Sequence, residues 1–230
     1  MVRSLIVPGN VDEIASFAER AESYGYERLW VGELWGTDAF VALTEAAVAT
    51  DDIDLGTAIV NVYGRSPATL AQAAASVAGR TDGTVHLGLG TSTPKAIEDL
   101  HGVPFENPPR RLHETVELAK RFLQEEDRVS YDGELFDVAD FPALGQGVPV
   151  YAAALGPANR RATGRTADGW LPHNIPFERL DEAFETIAET ASDAGRDPDG
   201  IEVAPYVPAA VSEDPDAAYE RVASHLAYYV

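Results

Sequence analysis

Apolar positions along this chain alternate between two periods. Short β-rich runs carry hydrophobic residues consecutively or every second position. Between them lie longer stretches in which the apolar positions repeat every three to four residues, as on one face of a helix. The first run covers residues 3–7, and the stretch 11–24 follows with Val11, Ile14, Ala15, Ala18 and Ala21 on one helical face. Gly25 closes that helix, 28–31 reads as a second strand, 40–50 as a helix and 53–60 as a third strand. Pro67 stands near the start of the next helix, where its missing N–H costs nothing, and that helix runs to about residue 80. Strand 85–89 follows the turn at Gly83, and a helix spans about 109–126. A small hairpin is expected at 128–138 around Asp132-Gly133, inside an excursion at about 127–147. Strand 148–153, helix 158–164, strand 169–171, helix 176–194 and strand 201–207 complete the alternation. A last helix starts behind Asp214-Pro215.

Repeated β-then-α units make parallel crossovers the economical reading, and seven strands point to a (β/α)₈ TIM barrel lacking its last β/α unit. The whole of 1–230 is expected to be one incomplete barrel domain, the missing unit being attributed to truncation. A doubly wound dinucleotide fold is disfavoured. Its G-x-G-x-x-G should follow the first strand, where this chain reads Pro8-Gly9-Asn10.

Composition narrows the function classes. Cysteine is absent, which removes disulfides, thiolate metal sites and cysteine nucleophiles. There are 38 acidic against 17 basic residues, only two of them lysines (Lys95 and Lys120), for a net charge of -21. Such a surface argues against nucleic acid and anionic membranes and suits a salt-adapted cytoplasm. No run approaches the roughly 18 apolar residues of a membrane helix, and no signal peptide is expected. The histidines at 86, 101, 113, 173 and 225 lack ligand-like spacing, so no metal site is expected. His86 and His113 are read as structural or packing residues. Without a G-x-S-x-G elbow, serine hydrolase chemistry has no support.

In a barrel, reactive groups gather where strands end at the C-terminal face. Glu33, ending Trp30-Val31-Gly32-Glu33, is a candidate for orienting substrate or donating a proton, and equally for capping the next helix. His173 in Pro172-His173-Asn174 is a candidate for proton transfer, against the alternative of an ordinary loop histidine. Gly88-Leu89-Gly90-Thr91-Ser92 permits close backbone approach and offers two hydroxyls. Leu155-Gly156-Pro157-Ala158-Asn159-Arg160 leads directly into a helix whose first amides suit a phosphate or carboxylate.

These segments together resemble the bacterial-luciferase-like flavin and deazaflavin oxidoreductases, most closely the branch using coenzyme F420 that includes methylenetetrahydromethanopterin reductase. The likeness runs in order along nearly the whole chain. Its specific part is Leu55-Gly56-Thr57-Ala58-Ile59-Val60-Asn61-Val62-Tyr63-Gly64-Arg65-Ser66-Pro67. Residues 30–33, 87–90, 149–157 and 166–170 carry the rest.

The resemblance implies a non-prolyl cis peptide bond at Ala58-Ile59, in a bulge against the coenzyme's middle ring. It places Asn61 by the ring or its tail, has Gly90, Thr91 and Ser92 line the same cleft, and sets Gly156, Pro157, Ala158 and Asn159 near the phosphate-bearing tail. The implied activity is F420-dependent hydride transfer to or from a small organic substrate. The alternatives are an FMN-dependent luciferase-like monooxygenase, a non-catalytic cofactor-binding or interaction protein, and an inactive fragment. Family likeness also favours a homodimer, and the alanines at 71, 74, 75 and 78 could pack closely in one. Three departures bear on the substrate. Glu33-Leu34 stands where relatives carry Asp-His, Thr93 where sugar-phosphate oxidisers carry glutamate, and Pro8 ends the first strand without an acid.

Overall fold

A computed structural model of the chain describes residues 2–7 and 13–227, the side chain of His225 apart. The Pro8-Gly9-Asn10 turn, Val11 and the final Tyr-Tyr-Val lie outside the described residues. The strands are β1 (Ser4–Ile6), β2 (Arg28–Val31), β3 (Asp54–Thr57), β4 (Val60–Asn61), β5 (Val85–Gly90), β6 (Arg128–Asp132), β7 (Asp137–Pro142), β8 (Val150–Ala153), β9 (Gly169–Trp170) and β10 (Glu202–Val203). The helices are α1 (Ile14–Ser23), α2 (Ala39–Ala49), α3 (Pro67–Ala78), α4 (Pro108–Gln124), α5 (Pro157–Thr166), α6 (Leu180–Asp193) and α7 (Pro215–Ala227).

The large sheet runs β1-β2-β3-β5-β8-β9-β10, with β4 also paired to β5 and every pairing parallel. Among the described residues no ladder joins β10 back to β1, so the sheet is a curved, incompletely closed barrel with helices outside. The expected excursion is an antiparallel hairpin of β6 and β7. It is held to α4 by the fully buried Glu114, whose carboxylate accepts the backbone amides of Glu134, Leu135 and Phe136 at 2.9, 3.0 and 3.1 Å.

Strand alternation sorts residues into two cores. Leu29, Val31, Val85, Leu87, Leu89, Val150 and Ala152 face outward to the helices, in one cluster with Leu43, Leu70 and Leu118. Arg28, Trp30, His86, Tyr151 and Glu202 meet one another inside the barrel. Glycine makes room for the two rings. A Cβ on Gly56 would lie 2.4 Å from Trp30, and one on Gly169 2.1 Å from Tyr151. The alanines Ala71 and Ala74 are buried, and Ala75 and Ala78 pack against the same outer core, so all four are engaged by the barrel itself.

At the lower end of the lumen, Arg28 donates to Glu202 at 2.7 Å and to Asp54 at 3.4 Å, and lies 5.4 Å from the Trp30 ring centre and 5.9 Å from that of Tyr151. The Tyr151 hydroxyl donates to Glu202 at 2.6 Å, while His86 pairs with Asp54 at 3.2 Å. Burial opposes the charges on Glu202 and Asp54. Hydrogen bonds from Tyr151 and Arg28 nevertheless hold Glu202 below the usual carboxylate range, and His86 and the Thr84 amide do the same for Asp54. This plug ties β10 to β2 and β3 across the open side.

The elements depart from the sequence reading where the backbone chemistry demands it. The third strand breaks into β3 and β4 at the Ala58-Ile59 peptide, which is cis, as the resemblance implied. The run 201–207 shortens to β10 because Pro172 on the facing strand has no N–H to give the ladder, while Ala204 and Tyr206 still donate to the Trp170 and Pro172 carbonyls. Beyond it only a parallel bridge joins His173 to Tyr206. The helix expected from 176 opens as a 3₁₀ turn, Phe177–Arg179, before α6, and a π-helical turn at Ala96–Leu100 had no sequence signal.

Candidate functional site

Above the plug, the C-terminal ends of the strands converge on an apolar floor. Trp30 and Leu171 form its base with Tyr151, and Ile6, Ala58, Ile59, Ala153 and Ala204 pack partly buried against them. Gly90 belongs to the same surface, since a Cβ there would stand 3.0 Å from Ile59 and 3.4 Å from the Ala153 Cβ. Six strands thus deliver small or aliphatic side chains to one level, a shape that receives a flat apolar ring.

The exits of β2 and β4 form one rim. Glu33 is held by Arg65 through two bonds of 2.7 and 3.0 Å, and its carboxylate accepts the Ala39 amide at 3.0 Å, at the start of α2. Arg65 also donates to Asp38 at 2.5 Å, and Asp38 itself caps α2 through the Phe40 and Val41 amides. The geometry therefore favours the capping role for Glu33. Asn61 is buried. Its Oδ1 accepts the Tyr63 and Gly64 amides at 3.0 and 2.6 Å, and its Nδ2 lies 3.1 Å from His101 Nε2. It shapes the loop beneath the cleft. Thr91 and Ser92 follow Gly90 at the rim, and Ser92 sits in the left-handed region at φ 56°.

The exits of β8, β9 and β10 form the other rim. Gly156 precedes α5 without a side-chain cap, and Pro157 occupies the first turn. The amides of that turn suit an anion. Asn159 Oδ1 on α5 and Asn174 Oδ1 on the loop after β9 are buried with no hydrogen-bond partner among the described residues, as is Arg160 Nε. The His173 ring meets the Tyr206 ring edge-on, centres 4.7 Å apart, and burial pushes the Tyr206 phenol above its ordinary pKa.

The structure thus gathers Ala58, Ile59 and Gly90 at one floor, with Glu33, Asn61, Thr91 and Ser92 on one side. Gly156 to Asn159 and His173 stand on the other. Tyr206 escaped the sequence reading, which named Asn174 only as part of the Pro172-His173-Asn174 strand end. Tyr206 sits in a proline-broken run with no strand pattern, and Asn174 has no motif around it.

Two open grooves, of about 300 and 420 Å³, lie away from this mouth, between α4, α5 and α6. Their cations splint helix ends. Lys120 binds the Thr166 carbonyl and Asp168, and Arg196 binds the carbonyls of Gly164 and Ala167. Among the described residues, no three His, Asp or Glu side chains group as metal ligands, and no helix is long and apolar enough to cross a membrane.

Comparison with known proteins agrees with this geometry. The family model described as luciferase-like monooxygenase matches residues 3–230. The 5,10-methylenetetrahydromethanopterin reductase of Methanolobus tindarius is 32% identical over 93% of the chain, which spans 65% of that protein. The F420-dependent hydroxymycolic acid dehydrogenase of Mycobacterium tuberculosis is 33% identical over 90% of the chain, which spans 61% of it. The chain therefore covers less than two thirds of either relative. The coenzyme F420 dependent tetrahydromethanopterin reductase from Methanopyrus kandleri superposes with a TM-score of 0.84 at 28% identity, covering the whole chain and 71% of that structure.

Proposed function

This chain belongs to the luciferase-like family of flavin and deazaflavin oxidoreductases, and from that membership we propose that it is an F420-dependent oxidoreductase exchanging a hydride with a small organic substrate. The observation that carries the reading is the apolar floor at the strand ends, shared by Ile6, Ala58, Ile59, Ala153, Leu171 and Ala204. A charged or metal-based reaction would need ionic groups at that level. A planar tricyclic ring needs what is there.

When bound, the deazaflavin supplies the hydride chemistry at C5 of its ring. The chain's residues bind, orient and exclude water. Ala58, Ile59 and Gly90 receive the ring, with Thr91 and Ser92 at its edge. Asn61 holds the loop from β4 in shape. The first turn of α5, with Gly156, Pro157, Ala158 and Asn159, receives the anionic tail on its free backbone amides. Glu33 fixes the β2 exit through Arg65, and His173 holds or accepts the proton that accompanies hydride transfer. F420 is favoured over FMN because the hydroxymycolic acid dehydrogenase at 33% identity and the superposing tetrahydromethanopterin reductase are both named as F420 dependent while differing in substrate.

The test is an anaerobic titration in molar salt against F420 and against FMN, following coenzyme fluorescence. Saturable binding of F420 in preference to FMN is expected. Preference for FMN moves the protein to oxygen chemistry, and binding of neither by folded protein refutes the cofactor assignment.

A further inference from the structure

The chain's scarce cations are not spread evenly. Against a net charge of -21, α5 carries Arg160, Arg161 and Arg165 and no acid. The neighbouring α4 carries Arg110, Arg111, Lys120 and Arg121 against Glu114 and Glu117. Two helices thus hold seven of the 17 bases. Both helices wall the two grooves that lie away from the mouth. Glu117, Arg165 and Thr166 line both grooves, which therefore form one trough, and Lys120, Arg121, Arg161 and Arg196 complete its basic lining.

Helix splinting accounts for Lys120 and Arg196, and Arg121 pairs with Glu117 at 2.7 Å. It does not account for Arg161 and Arg165. Both are exposed, and neither side chain makes a hydrogen bond or ion pair among the described residues. They stand one turn apart on α5, with about 5–6 Å between Cβ atoms. Arg196 adds a third cation without an ion pair among the described residues. Its guanidinium reaches two carbonyls, and burial lowers its pKa against the attraction of Asp168. The acids of the trough offset this little. Glu117 is engaged by Arg121, His113 and Tyr131, and Glu125 and Asp193 each line one groove only.

A small single anion meets one such guanidinium, whereas two linked phosphates meet several. Planar guanidinium forks match phosphate oxygens, and the charge strengthens each hydrogen bond. Grooves of about 300 and 420 Å³ are of small-molecule size. We propose that this trough is a second ligand site, taking a diphosphate group, free or carried on a nucleoside, with Arg161 and Arg165 as its principal contacts. It stands apart from the mouth and does not depend on the deazaflavin reading. Its occupant also bears on the late strands. Lys120 binds Asp168, whose carboxylate accepts the Val150 amide of β8 and whose carbonyl accepts the Glu202 amide of β10. A diphosphate in the trough therefore tightens the part of the sheet with the shortest ladders.

The experiment is titration calorimetry of the full chain with inorganic pyrophosphate, orthophosphate, ADP and AMP at constant ionic strength. Pyrophosphate and ADP should bind saturably, about tenfold more tightly than orthophosphate and AMP. Equal affinities for pyrophosphate and ADP identify the free diphosphate as sufficient, and tighter ADP identifies the nucleoside-borne form. Arg161→Gln and Arg165→Gln, at exposed side chains that hold no structural bond, should each weaken pyrophosphate binding about tenfold, whereas Arg20→Gln on α1 should not. Saturating pyrophosphate should raise the unfolding midpoint of the wild type, and raise it less in Arg165→Gln. Arg160→Gln tells the trough from the first turn of α5. Loss of pyrophosphate affinity in Arg160→Gln with Arg165→Gln unaffected places the anion at the mouth and overturns the proposal. So does orthophosphate binding as tightly as pyrophosphate, or the absence of pyrophosphate binding by the folded chain.

Discussion

Glu33 shows how one side chain can look catalytic and act as a joint. It ends a barrel strand, where reactive carboxylates gather, yet both of its oxygens are taken by Arg65 and one also by the first amide of α2. Replacing it by glutamine should cost about 1–3 kcal/mol in urea unfolding, because Arg65 loses a charged partner. The shape of the pH–rate profile should be unchanged. A vanished limb of that profile at unaltered stability would restore the acid–base role. The glycines tell a similar story of space. Gly169→Ala places a methyl 2.1 Å from the Tyr151 ring and should destabilise by about 1–3 kcal/mol, measured as a lower unfolding midpoint. At this scale the sequence was legible where a residue type is scarce in its role, as with Gly90 or the helix-starting Pro157. It was silent where the role depends on a distant partner. Nothing near Arg28 in the sequence announces Glu202, because their meeting requires the barrel to curve first.

Among the elements, the long helices and the central strands β2, β5 and β8 were legible because each shows an unbroken hydrophobic run or period. The late strands were not. Pro172 removes a donor from the ladder beyond β9 and β10, and what reads as a seven-residue strand keeps only two paired residues and one bridge. With so little ladder, β10 depends on side chains, and the Arg28–Glu202–Tyr151 contacts are what fasten it across the lumen. Glu202→Gln should therefore destabilise the protein at pH 7 by about 1–3 kcal/mol. The folded-state pKa of Glu202 lies below its unfolded value, so its contribution is complete above the unfolded pKa and fades as pH falls through the folded one. The difference between wild type and variant in urea unfolding should thus narrow below about pH 5, near the ordinary glutamate range. A gap that stays constant down to pH 3 would mean that shape, not the charge of Glu202, fastens the strand.

At the scale of the molecule, the outstanding property is charge. With 38 acids and 17 bases, most surface pairs of charges repel, while attracting pairs with a buried or half-buried partner hold the plug, the β2 rim and the helix splints. Salt should act on these two populations differently. Exposed charges are screened over about 8 Å at 0.15 M ionic strength and about 3 Å at 1 M, whereas buried pairs are screened much less. Added KCl therefore removes the repulsion while leaving much of the plug's attraction, and the unfolding midpoint should rise with salt. The form of the rise identifies its cause. Screening is nearly exhausted once the Debye length falls below the spacing of surface carboxylates, so the midpoint should climb steeply to about 1 M and then flatten. A midpoint that instead keeps rising linearly through 3 M would point to exclusion of salt from the protein surface, which acts on buried area rather than on charge. A midpoint that falls with salt would mean that the attractive pairs on the surface outweigh the excess of acids.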